Sequence, residues 1–176
     1  APDTLYEMGA EIVPLAVSPD GFNINENCGA VHPQVMATTV VVHGADAGIC
    51  LDGDADRLIM ADETGKIIDG DQILGCLALA MQERGTLAKD TVVGTVMTNS
   101  GLETRLGKAG IDLHRVAVGD RYILEKMRQD GLSLGGEPSG HMLMTDFARS
   151  GDGLLTALQM LTLLKTSGKK ASTLFN

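Results

Sequence analysis

The sequence predicts an α/β protein of two consecutive layered domains with mixed, largely parallel sheets. The main observation behind this is a theme that occurs three times: a helical stretch ends at glycine and a short apolar strand follows. LYEMGAEIVPLAV turns at Gly9, LETRLGKAGIDLHRVAV at Gly110 and EKMRQDGLSLGG at Gly131. Glycine just past a helix supplies the left-handed cap that other residues resist. Helices alternating with short buried strands pack as α/β layers. Composition agrees: 176 residues, 44% hydrophobic and 21% charged, suffice for one large or two small globular cores.

The elements follow in order. The opening stretch reads as a helix and then a strand after Gly9. A turn-rich loop, SPDGFNINENCGAVHP, leads into a helix over 33–43. A strand spans 47–51 and stops at DGDADR. Residues 58–62 and 66–68 form a hairpin around Glu63-Thr64-Gly65. Ile73, Leu74, Leu77 and Met81 mark one face of a helix over 71–84. A strand at 91–97, a helix at 101–109 and a strand at 111–118 come next. Gly119-Asp120-Arg121 opens a helix to 129. Strands at 132–135 and 141–147 flank GGEPSGH, and a last long helix covers 152–165. The division between domains falls near Asp69, giving units 1–69 and 70–176. Both chain ends read as cut from a longer protein.

Net charge is −9 and aromatic content 3%. That excludes a basic field for nucleic acid and argues against base-stacking platforms. No apolar run reaches the length of a membrane helix, and no signal-peptide pattern opens the chain. Cys28, Cys50 and Cys76 are odd in number and form no CxxC pair, which fits reduced thiols in the cytoplasm.

The chemistry concentrates in LDGDADR, residues 51–57. Asp52, Asp54 and Asp56 alternate at the end of an apolar strand, so a tight loop brings them to one place. Two like charges about 4 Å apart repel by on the order of 4 kcal/mol at an effective dielectric near 20. Three carboxylates beside a core therefore call for a cation. A hard divalent ion such as Mg²⁺ suits oxygen ligands and a phosphate-handling site. Gly53 is expected to supply backbone freedom in the loop. Arg57 ligates no metal but offers a guanidinium fork to a phosphate. The EF-hand reading fails because Arg57 stands where that loop needs glycine, although Glu63 fits its twelfth position. A phosphohydrolase with Asp52 as nucleophile remains an alternative.

In GGEPSGH, residues 135–141, glycines allow close backbone approach while Glu137 and Ser139 offer hydrogen bonds to sugar hydroxyls. His141 is placed to relay a proton or to bind phosphate. VGDRY, residues 118–122, marks a strand-to-helix junction where backbone N–H groups favour anions. Arg121 is the phosphate contact there and Asp120 the expected helix cap. Ser100 in TNSGLE and Asp69 and Asp71 in DGDQ also read as caps, and SGDG at 150–153 as another helix start. His32 and His43 read as structural.

LDGDADR, VGDRY and GGEPSGH, in this order and spacing, resemble the α-D-phosphohexomutase superfamily. NINENCGAVHP with VGDRY resembles its bacterial phosphoglucosamine mutase branch. The resemblance covers essentially the whole chain and corresponds to the second and third of four domains. It implies that Asp52, Asp54 and Asp56 hold Mg²⁺, that Arg57 and His141 are catalytic, and that Gly119, Asp120, Arg121, Glu137 and Ser139 face the substrate. It further implies transfer of a phosphoryl group between the 6 and 1 positions of a hexosamine through a phosphoserine and a bisphosphate. The implied partners are the phosphorylated hexosamine and the first and fourth domains, and a homodimer stays open. Phosphomannomutase or phosphoglucomutase activity, or a non-catalytic sugar-phosphate-binding module, are the alternatives. Pro138 and Ala30 depart from the branch, which commonly has Gln and Ser there. No family phosphoserine motif occurs, so the 176 residues alone are expected to be inactive.

Overall fold

The computed structural model describes residues 1–175. After a short helix α1 (Pro2–Glu7), the first regular unit is α2 (Gln34–His43) packed on an antiparallel sheet of β1 (Ala47–Leu51), β2 (Leu58–Asp62) and β3 (Ile67–Ile68). β1 pairs β2 from Ala47↔Asp62 to Leu51↔Leu58. Every pairing in this sheet is antiparallel, because its connections are short loops and a parallel pair needs a crossover of a dozen residues or more. Alternation along β1 sends Gly48 and Cys50 inward, and Cys50 joins Met36, Ala37, Val40, Ile59 and Ala61 in a small core.

The chain changes sheet at Asp69. Its carboxylate accepts from Gln72 N while Gln72 reaches back to Asp69 N, a capping box that starts α3 (Gly70–Glu83). The second sheet has the order β5-β4-β6-β7, from β4 (Thr91–Thr95), β5 (Asp112–Val116), β6 (Leu134–Gly136) and β7 (Met142–Met144). β4, β5 and β6 run parallel and β7 is antiparallel to β6. The helices are α4 (Ser100–Lys108), α5 (Asp120–Asp130), α6 (Gly153–Ser167) and α7 (Ala171–Leu174). Ile123 and Met127 of α5 pack with Val93 and Leu143 on one face. Val92, Leu134 and Met142 face α3, α4 and α6 on the other. β2 is buried along its whole length, and its Leu58 and Met60 belong to this larger core. The α/β layering with a mixed sheet is thus as the sequence predicts.

Gly9, Gly110 and Gly131 all take positive φ after helices. No strand follows Gly9, however. Residues 11–17 find no partner strand among the described residues, and Val13, Leu15 and Val17 stay exposed. Apolar alternation does not make a strand without a neighbour to take its backbone hydrogen bonds. Three cap assignments also change. Asn99, not Ser100, caps α4 by accepting from Leu102 N at 2.8 Å. Asp71 is no cap: it is 3% exposed and holds Asn99 through N (2.9 Å) and Nδ2 (2.8 Å). Gly119 is the N-cap of α5, and Asp120 is the first helical residue.

Candidate active site

The loop between β1 and β2 turns at Ala55, whose N–H donates to Asp52 O at 3.2 Å. Ala55, not Gly53, carries the left-handed backbone, with φ 60. Gly53 is small for another reason. A Cβ there would sit 2.3 Å from Ile24 Cδ1, so the preceding loop packs against it. One carboxylate oxygen from each of Asp52, Asp54 and Asp56 can be chosen so that all lie within 4.8 Å of one another. Arg57 Nε stands 3.6 Å from both Asp52 Oδ2 and Asp56 Oδ1. That separation is an ion pair beyond hydrogen-bond length. Asp52 Oδ1 accepts from Arg57 N at 3.2 Å, whereas the buried Asp56 Oδ1 has no hydrogen-bond partner. Burial first, then the neighbouring Asp52 and Asp54, pushes the Asp56 carboxyl above its ordinary pKa, against the pull of His141 and Arg57. Clustered hard oxygens, one of them unpartnered, fit a divalent cation.

GGEPSGH docks directly onto this loop. Arg57 and His141 form an antiparallel bridge, and Leu58 N donates to Gly140 O at 3.0 Å. His141 Nδ1 lies 3.2 Å from Asp56 Oδ2, its side chain only 7% exposed. The other ring nitrogen, Nε2, is buried without a partner. Gly140 has φ 93, and a Cβ would meet Leu58 O at 2.1 Å, so glycine is required twice over. SGDG, read above only as a helix start, also belongs to the site. Gly151 lies flat against the His141 ring, leaving 2.3 Å from a built Cβ to Cε1. Gly153 N donates to Ala55 O at 2.8 Å. The signal in the sequence was the pair of glycines alternating with polar residues just ahead of α6.

A second junction lies at the C-terminal ends of the parallel strands, where open α/β sheets place ligands. Glu137 follows β6 and Gly119 follows β5. Glu137 Oε1 accepts from Gly119 N at 3.1 Å, tying VGDRY to the glycine-rich loop. Pro138 O accepts from Gly70 N at 3.1 Å, seating the loop on the start of α3. Ser139 is exposed at the turn. Asp120 and Arg121 are exposed on the first turn of α5, and Asp120 Oδ1 accepts only the adjacent Arg121 N, at 2.6 Å. The structure therefore joins Asp52, Asp54, Asp56, Arg57 and His141 in one cluster and Glu137 with Gly119 in a second. Among the described residues no hydrogen bond or ion pair joins the side chains of Asp120, Arg121 or Ser139 to the acids.

A family model described as phosphoglucomutase/phosphomannomutase, alpha/beta/alpha domain III, matches residues 69–176. The chain belongs to the phosphoglucomutase/phosphomannomutase family. It is 56% identical over 176 residues to the phosphoglucosamine mutase of Roseobacter denitrificans, covering all of this chain and 39% of that protein. A solved phosphoglucomutase/phosphomannomutase family protein of Burkholderia thailandensis superposes with a TM-score of 0.86 at 26% identity, over 98% of this chain and 38% of its own. The N-acetylphosphoglucosamine mutase of Aspergillus fumigatus, solved with GlcNAc-6P and magnesium, shares the fold at 18% identity and a TM-score of 0.63, over 85% of this chain and 36% of its own. Among the described residues no helix is long and apolar enough to cross a membrane.

Proposed function

We propose that this chain is the central part of a phosphoglucosamine mutase, comprising a metal-loop unit (1–69) and a sugar-recognition unit (70–176). The whole protein interconverts glucosamine 6-phosphate and glucosamine 1-phosphate through a phosphoserine that lies outside these residues. The observation that carries the reading is the 3.2 Å approach of His141 to Asp56. It puts the acid loop and the glycine-rich loop at one point, as a phosphoryl transfer beside a bound sugar requires. The relatives' names support the hexosamine.

Asp52, Asp54 and Asp56 are the residues that would hold Mg²⁺. Bound there, the ion supplies positive charge that neutralises a transferring phosphoryl group. Arg57, its side chain 45% exposed, swings its guanidinium to the phosphate and supplies two parallel donors. Asp56 Oδ2, 3.2 Å from Nδ1, orients the His141 ring beside the acid loop. Glu137 accepts Gly119 N through Oε1, and its other oxygen is left for a sugar hydroxyl. Ser139 and Arg121, both exposed, complete the contacts to hydroxyl and distal phosphate.

The test is a comparison of glucosamine, glucose and mannose 6-phosphates on the longer protein that contains this chain, with Mg²⁺ added and chelated. Turnover should favour the glucosamine ester and vanish on chelation. Turnover of the glucose or mannose ester with none of the glucosamine ester would overturn the substrate. Turnover by the 176 residues alone would overturn the placement of the phosphoserine.

A further inference from the structure

The turn Ser150-Gly151-Asp152-Gly153 carries none of the groups assigned to metal or sugar, yet it touches both loops of the site. Its first contact is with His141. A Cβ built on Gly151 would lie 2.3 Å from Cε1, 2.4 Å from Nε2 and 2.9 Å from Nδ1 of that ring. No side chain can approach so near, so only glycine lets the backbone rest on the imidazole. Its second contact is with the acid loop. Gly153 N donates to Ala55 O at 2.8 Å, and a Cβ on Gly153 would lie 2.4 Å from Arg57 O.

Both sides of the Gly151–His141 contact are held. The His141 side chain is 7% exposed, its Nδ1 stands 3.2 Å from Asp56 Oδ2, and its backbone bridges to Arg57. The turn is tied to the start of α6. Asp152 Oδ1 accepts from Leu155 N at 2.8 Å, and Asp152 O accepts from the buried Thr156 Oγ1 at 2.7 Å. Volume added to a filled space displaces a neighbour. An atom added at 151 therefore pushes on the ring, and the ring bears on Asp56.

We propose that Gly151 is a positioning residue for the cation site. It holds the His141 imidazole against Asp56, and through that contact it fixes where the Asp56 carboxylate stands beside Asp52 and Asp54. The inference rests on the reading of the acid loop as a divalent-cation site. Groups that hold a metal-binding side chain from behind change metal affinity by about 10–100-fold when they are altered.

The experiment titrates Mn²⁺ calorimetrically into the parent chain, Gly151→Ala, His141→Ala and the double variant, with thermal melts of each in the absence of metal. Each single substitution should weaken Mn²⁺ binding about tenfold or more. The double variant should bind no more weakly than His141→Ala, because a residue that acts through the ring is silent once the ring is gone. Gly151→Ala should also move the Cε1–H proton resonance of His141 in the metal-free chain. That resonance is identified among the four histidines by its absence in His141→Ala. If Gly151→Ala alone fails to fold, the double variant, which has room for the Cβ, should still fold and bind as His141→Ala does. Unchanged affinity in Gly151→Ala, or a double variant that unfolds or binds more weakly than His141→Ala, would overturn the positioning role while the parent chain still binds. A parent chain that takes no Mn²⁺ would overturn the cation reading itself, and the role of Gly151 with it.

Discussion

β2 meets carboxylates at both of its ends, and the two ends treat charge in opposite ways. At the hairpin end, Asp62 is 1% exposed, and its Oδ1 accepts from Thr64 N (2.9 Å), Thr64 Oγ1 (2.6 Å) and Lys66 N (3.0 Å). One carboxylate takes three donors and the turn is closed by its own residues. At the other end, three carboxylates crowd within 4.8 Å. Each end leaves one buried oxygen without a partner, Asp62 Oδ2 and Asp56 Oδ1, but the Asp56 oxygen has two further carboxylates beside it. A carboxylate matched to local donors builds structure, since buried polar groups are ordinarily paired. A cluster short of donors is held together by the rest of the fold and is suited to a cation.

That contrast can be broken by substitution. The largest effect is expected from Gly140→Ala, which drives a Cβ into Leu58 O and separates the two loops. Added strain and overpacking should cost about 3 kcal/mol or more in denaturant unfolding. Asp62→Ala should cost roughly 2–3 kcal/mol by stranding donors at the hairpin, with divalent-ion affinity in calorimetric titration unchanged. Asp54→Asn should do the reverse. Affinity should fall about tenfold or more, equivalent to ~1.4 kcal/mol, while thermal stability without metal holds or rises slightly as repulsion is relieved. The smallest effect concerns Glu63, whose carboxyl lies below its ordinary pKa because Ser172 donates to it through Oγ and N. A depressed folded pKa gives stability that is present above the unfolded value, about 4.3, and is lost as pH falls through the folded one. Glu63→Gln should therefore lower the melting temperature at pH 7, and the gap from the parent chain should close on acidification below about pH 4.

The strands and helices were legible where the pattern was local. The edges of β1 and β2, the hairpin at Glu63–Gly65 and the capping box at Asp69 follow from alternation, turn residues and side chains three positions apart. The acid cluster was legible for the same reason, since its three residues are neighbours in sequence. The bridge between Arg57 and His141 was not, because nothing in either motif names its distant partner. Nor was the packing of Gly151 on the His141 ring. The choice between Asn99 and Ser100 turned on Asp71, which reaches across from α3 to hold Asn99 in the capping position. Val13, Leu15 and Val17 misled because alternation records a face, whereas a strand also requires a neighbour.

Paramagnetic broadening by Mn²⁺ tests most directly the claim that the acid loop and the glycine-rich loop share one cation site. Substoichiometric Mn²⁺ should broaden the amide resonances of residues 52–57, 139–141 and 151–153 and leave 62–66 sharp, with the effect lost in Asp54→Asn. Broadening centred elsewhere, spread evenly over the acidic surface, or unchanged by that substitution would contradict it.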